Sequence, residues 1–262
     1  MVHLCDVSYS RDATVAAIRD YYRFLVAMYL DESEVIEPPE GGWPSINSNT
    51  WENLDKTDTV ISLLRHLPYI RDNGAVAIDG APDCNFANWQ ALALDPDGKK
   101  VKTYTELDPD EGSVPPHVVG LTEGGEISPF FLLDTKLGIV HWYECFSPIR
   151  EDPRQVENSP EDWAPDEEAE WRDSGAVWAI EDFFEVLKSH FRKLNFVPIG
   201  TRTVKDVWIE GLEDGMLTAV QAIYHRHNWP DLGRYRKKEC MEEVQAMMVA
   251  QYSHSAQVEL DD

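Results

Sequence analysis

Cysteine is scarce and never clustered in this chain: Cys5, Cys84, Cys145 and Cys240 are its four, and no CxxC pair occurs. That excludes the disulfide framework of small secreted domains and the zinc sites built from paired cysteines, and fits reduced thiols in the cytosol or nucleus. No run of about 18 uncharged apolar residues exists, so no membrane-spanning helix is expected. The opening stretch does not read as a signal peptide, because Arg11, Asp12, Arg19, Asp20 and Arg23 interrupt its apolar segment. Basic residues are few, 23 against 48 acidic ones, giving a formal net charge of −25. Such a chain repels phosphate backbones and anionic lipid at long range, which argues against nucleic acid and membrane as partners. The short catalytic signatures are missing too: there is no P-loop, GxGxxG, GxSxG, HExxH, EF-hand loop or kinase set.

Aromatic bulk, by contrast, is plentiful. Nine Trp, ten Tyr and nine Phe in 262 residues mark a globular chain with material for a sizeable core. Its organising stretch runs from Phe130 to Phe196. Phe130–Asp134 and Ile139–Tyr143 are apolar runs separated by Thr135-Lys136-Leu137-Gly138, which is hairpin chemistry. Further on, Ile180, Phe183, Phe184, Leu187, Phe191 and Leu194 recur at three-and-four spacing, the stripe of an amphipathic helix from about Val177 to Leu194. A hairpin apolar on both faces needs cover, and this helix supplies it.

The rest follows in order. Asp12 is placed to cap a first helix with its stripe at Val15, Ile18, Tyr22, Leu25 and Tyr29. Three prolines and two glycines between Glu37 and Pro44 make a non-helical connector that positions Trp43. Thr57 or Asp58 opens a short helix ending near Pro68. From Tyr69 to Leu121 short pieces read as strands: Val76–Ile78, Val101–Leu107 and Val118–Leu121, with the stretch from Asn85 to Leu94 ambiguous between strand and short helix. Val204–Ile209 suggests another strand, and two helical stripes follow, at Met216–Tyr224 and Cys240–Met248. The expected architecture is α+β, a mostly antiparallel sheet covered by helices, with residues 1–200 as the main domain and 201–262 as a helical C-terminal extension packed on it.

Few groups are spaced for chemistry. His225, His227 and Cys240 carry metal-ligand chemistry, but residues two apart on a helix face different ways. Cys145 and His141 share a strand face with Cα atoms about 13 Å apart, beyond hydrogen-bond reach. Asp134, at the hairpin turn, reads as a turn former. Catalytic residue, metal and cofactor are therefore all expected to be none. From Glu151 to Asp173 ten acidic residues face only Arg154 and Arg172, the composition of a solvated loop that meets a partner. Its candidate contact residues are Trp163, Trp171, Asp166, Glu167 and Glu168. The competing reading is an enzyme or small-ligand binder with an aromatic cleft formed by Trp43, Trp89, Trp142 and Trp178. A structural subunit with a large apolar patch is a third class.

Pro129–Val140, with Ile180–Leu187 following at a distance, resembles the SUKH superfamily, in which a strand, a Gly-containing turn, a second strand and a later helix form the second half of an α/β domain. Leu64–Ile70, Gly42-Trp43-Pro44 and His227–Leu232 also resemble proteins of filamentous fungi. The SUKH resemblance covers about a third of the chain and departs from the pattern at Ile180 and Glu181. It implies a binding module of the toxin-immunity or cell-wall-regulator kind, presenting a surface instead of turning over a substrate. The expected function is a soluble, cytoplasmic or nuclear protein-interaction module whose partner has a basic surface, with the oligomeric state left open.

Overall fold

A computed structural model describes residues 2–50, 54–71, 77–94, 98–107, 114–124, 129–157 and 164–252. Its centre is a four-stranded antiparallel sheet of β1 (Val118–Gly120), β2 (Phe131–Asp134), β3 (Ile139–Tyr143) and β4 (Gly175–Ala179), in the order β4-β3-β2-β1. Around it lie α1 (Arg11–Met28), α2 (Asp58–His66), α3 (Gly98–Thr105), α4 (Asp166–Asp173), α5 (Ile180–Arg192), α6 (Met216–Arg226) and α7 (Lys237–Gln251). Small sheets fill the margins: Val35–Ile36 with Tyr69–Ile70; Asp79–Ala81, Cys84–Phe86 and Thr122–Glu123; and Phe196–Pro198 with Val204–Asp206. All three are antiparallel, whereas Val2–His3 pairs with Val156–Glu157 in parallel. The α+β architecture read from the sequence is the one observed.

Register divides the central sheet into two buried faces. Phe131 stands opposite Trp142, and Trp142 opposite Ala176; Leu133, Val140 and Trp178 form the next row on the same side. These enter the main core, where Phe131 meets Trp142 at 4.7 Å and Phe183 at 5.0 Å between ring centroids. Each such large side chain, fully buried, stabilises by about 1.5–3 kcal/mol. The stripe of α5 closes this face and packs on α1, with Phe184 5.3 Å from Tyr21. Lys188, almost fully buried on α5, reaches Asp20 of α1 and Glu185. The other face carries Leu132, Val118, Asp134 and His141, and is covered by Leu107 and by Trp171 of α4.

The C-terminal helices share the main core, which includes Tyr224, Trp229, Cys240 and Val244. They also finish α1. Lys237 Nζ donates to the carbonyls of Val26 (2.7 Å) and Leu30 (2.6 Å), and the Tyr235 hydroxyl to that of Met28 (2.9 Å). A helix end leaves such carbonyls without intrahelical donors, so the chain beyond residue 234 supplies them.

Five local expectations need correction or restriction. The N-cap of α1 is Ser10, whose Oγ accepts the Ala13 N–H at 3.4 Å, while Asp12 sits in the first turn against Arg11. Val101–Leu107 is not a strand. Residues 101 and 105 lie one helical turn apart on the buried side of α3, and Thr105 Oγ1 donates to the Val101 carbonyl at 2.8 Å. Residues 166–173 of the supposed acidic loop are helical. Gly175–Ala179 is a strand paired along its whole length with β3, so α5 starts at Ile180 and not near Val177. Of the expected strand Val76–Ile78, residue 76 lies outside the described residues; the strand there is Asp79–Ala81.

Gly120 is where α3 reaches the sheet: a Cβ at this position would lie 1.8 Å from the Thr105 carbonyl oxygen. Backbone meets backbone there and no side chain can swing aside. Gly120→Ala should therefore destabilise the fold by about 2–3 kcal/mol. Urea denaturation checks this, against Gly233→Ala as a control, where a Cβ would meet only the Asp231 carboxylate at 3.4 Å, an ordinary contact.

Candidate functional site

Outside the main core, a buried cluster of charged and titratable side chains lies on the α4 side of the sheet. Asp134, 1% exposed, ends β2. Its Oδ1 accepts the backbone N–H groups of Lys136 (2.8 Å) and Leu137 (2.9 Å), the turn-forming role its position implies. Its Oδ2 turns inward and accepts Arg172 Nη2 at 2.9 Å, with His117 Nε2 at 3.6 Å. Arg172 also donates from Nε to Glu168 Oε2 at 2.8 Å, one helical turn back on α4, and its guanidinium lies 4.4 Å from the centre of the Trp171 ring. Charge-assisted bonds of this kind are the stronger ones, and they fix the rotation and register of α4 against the sheet.

Histidines flank the pair. His117 is partly exposed, and burial holds its imidazole below the usual range although Asp134 and Glu168 pull the other way. His141 is fully interior. Burial, then the neighbouring Arg172 charge, push it down to about 3, so it is neutral at physiological pH. The Trp171 backbone approaches the ring and pulls the other way, although neither ring nitrogen meets it at strict hydrogen-bond geometry. The Trp171 ring stands edge-on at 5.2 Å, and a Cβ on Gly175 would come within 2.9 Å of Nε2. Nearby, Lys56 Nζ and Glu106 Oε1 form a second buried pair at 2.7 Å; burial pulls the Lys56 ammonium down and Glu106 counters it. Thr57, next to Lys56, donates its N–H to Pro116, next to His117.

The residues chosen from sequence divide accordingly. Trp171 is 1% exposed and covers the sheet, and Glu168 is bonded to Arg172, so neither is displayed on the surface. Asp166 is exposed at the start of α4. Trp163 and the side chain of Glu167 lie outside the described residues. Of the four tryptophans proposed for a cleft, Trp89, Trp142 and Trp178 are interior. Trp43 is half-buried, stacked toward Tyr69 with its Nε1 donating to the Leu67 carbonyl at 2.8 Å. An open groove of ≈ 420 Å³ is lined by Tyr9, Ser10, Arg11, Asp12, Asp58, Thr59 and Ser62, and by none of those tryptophans. No His/Cys/Asp/Glu group able to hold a metal occurs among the described residues, and His227 is engaged with Glu243 at 2.7 Å. Cys145 is buried, which pushes its thiol up to about 12, the opposite of an activated nucleophile.

Sequence reasoning placed Asp134 correctly but missed Arg172 as its partner, because 38 residues separate them. The available signal was an arginine beside a tryptophan inside an otherwise acidic stretch. The arrangement can clamp, and with neutral histidines beside a buried charge pair it couples folding to pH. Comparisons with protein-family models, curated proteins and solved structures find no match to this chain. What fold and site define is an α+β protein with a charge-clamped acidic helix. Among the described residues no helix is long and apolar enough to cross a membrane.

Arg172→Met should destabilise by about 3 kcal/mol, since it leaves the Asp134 carboxylate buried without its cation; Asp134→Asn combined with Arg172→Met should recover much of that loss. Urea denaturation of the four proteins of the cycle decides it. A second expectation concerns pH. The folded values of His141 and His190, about 3 and about 4, lie below the ordinary 6.5. Below pH 6.5 the unfolded chain therefore binds protons that the native state refuses, and stability falls as pH drops toward 4. His141→Leu should lower the slope of stability against pH by about one proton between pH 4.5 and 6. An unchanged slope would mean that the buried imidazole already protonates in the native state.

Proposed function

We propose that the chain is a protein-interaction module of a reducing intracellular compartment, offering the outer face of α4 to a partner with a basic surface, the mode of action the SUKH resemblance implies. The observation that carries this reading is the clamp. Trp171 and Arg172 hold the inner side of α4 on the sheet while Asp166 stays exposed at its start. A rigidly held helix meets its partner without first losing conformational entropy. The formal charge of −25 adds long-range attraction for a cationic surface, an effect on encounter rate more than on final affinity. The aromatic-cleft alternative is weakened by the interior positions of Trp89, Trp142 and Trp178.

Charge reversal tests the reading. Asp166→Lys with Glu167→Lys places two cations at the N-terminal end of α4 at a stability cost of about 1 kcal/mol or less per site. Affinity capture from the native cell, quantified by mass spectrometry, should lose the wild-type partner tenfold or more, while circular dichroism stays native. Partner recovery equal to wild type would remove α4 from the interface.

A further inference from the structure

Helix α4 is a thin cover. Among its described side chains only Trp171 and Arg172 are buried, while Asp166 and Asp173 stay at the surface. Trp171 packs in a satellite cluster with Leu107, Val118 and Leu132, separate from the main core. An element held by so little apolar surface opens locally at a lower free energy than the core does.

Two histidines meet this cover from the sheet side. The Trp171 ring stands edge-on to His141 at 5.2 Å. The charges acting on His141 are Arg172 of α4 and Arg150, both cations that oppose a proton there, and only the Trp171 backbone favours one. His117, just before β1, has its carbonyl fixed by the Thr135 N–H (2.9 Å) and Oγ1 (2.8 Å). Its Nε2 lies 3.6 Å from Asp134 Oδ2, the oxygen that Arg172 already occupies. Asp134 of β2 and Glu168 of α4 attract an imidazolium at His117, whereas Arg172 of α4 and Lys136 of the turn repel it, and burial tips the balance against the proton. Lifting α4 would remove Arg172 from both rings and let water reach them. Proton uptake and opening are then linked, each promoting the other.

We propose that α4 is an acid-released cover, lifted from the sheet as His117 and His141 take up protons. This regulates the interface proposed above, and it rests on that reading only for what the release achieves. The size of the effect follows from His141, held at about 3 under the helix and ordinarily near 6.5: its opening constant rises about twentyfold from pH 7 to pH 5. Ordinary carboxylates stay mostly charged across that window.

Hydrogen exchange of the full chain at pH 7 and pH 5, corrected for the intrinsic pH dependence of exchange, tests it. Amides of α4 should open more often than those of α5 at both pH values, and their opening constant should rise tenfold or more toward pH 5. His141→Leu with His117→Gln should cut that rise below threefold. His117→Gln alone, at a partly exposed position, should lower it in part and guards against a double variant that fails to fold. Exchange of α4 in step with α5 would overturn the proposal, because the helix would then open only with the whole fold. An acid response undiminished in both folded variants would overturn it as well. Loss of the captured partner at pH 5 from wild type, with retention by the double variant, would support release at the interface. Charge reversal at Asp166 and Glu167 without effect on capture at pH 7 would sink the interface reading, while the exchange result would still decide the acid release.

Discussion

The central sheet has no wet face, and that constraint governs the molecule. In a strand, alternate side chains leave on opposite sides, so Leu133 and Val140 point into the main core while Leu132 and His141 point away from it. An antiparallel sheet commonly leaves one side to solvent and reads as alternating apolar and polar residues. Here β2 and β3 are apolar at nearly every position, and each side demands its own cover. The Phe-rich stripe of α5 meets one demand. On the other side lie Trp171 and Arg172 of α4, with the end of α3 packed on Gly120.

Covering the second face brought charge into the interior. Asp134 is useful at the turn because its side chain holds two backbone N–H groups, but its position also buries a carboxylate. A buried carboxylate without a counter-ion is costly enough that the pairing with Arg172 becomes obligatory. Arg172 in turn orders Glu168 and stacks against Trp171, so one turn-forming residue fixes the orientation of a whole acidic helix. Lys56 and Glu106 form a similarly enclosed pair where the start of α2 approaches the end of α3. Neutral His141 sits within reach of the Arg172 charge, which adds to burial in disfavouring its protonation.

How much of this was legible depended on the range of the interaction. The hairpin and the stripes of α1, α5, α6 and α7 are local patterns, and they stand where periodicity put them. Thr57 as the cap of α2 is local too. The segment of α3 was misread because Val101-Lys102-Thr103-Tyr104-Thr105 has β-branched and aromatic residues in strand-like alternation, and contact with Gly120 overrides that propensity. The α4 segment looked like loop because ten acidic residues, five of them in the helix itself, and three prolines dominate the composition from 151 to 173; Trp171 and Arg172 bind it to the sheet through contacts distant in sequence. β4 was hidden by continuity, since Val177 and Trp178 extend the apolar text of α5 without a break. At the candidate site, the acidic character of the region was visible, but which of its residues face inward was not, because one helical turn places Glu168 against Arg172 and leaves Asp166 outside.

The interior pairs also change what the surface offers. Lys56, Arg172 and Lys188 have side chains 1%, 2% and 6% exposed, so three of the 23 basic groups are withdrawn from solvent. Lys237 is turned onto the carbonyls that end α1, and Lys205 onto Asp83. The partners of Lys188, Asp20 and Glu185, stay largely at the surface, 64% and 43% exposed. Cations therefore serve as internal fasteners, and Lys56 and Arg172 take Glu106 and Asp134 inside with them, so these pairs leave the net charge unchanged. The field of that charge reaches only about 8–10 Å at physiological salt, so it acts on charged molecules only when they are already near the surface.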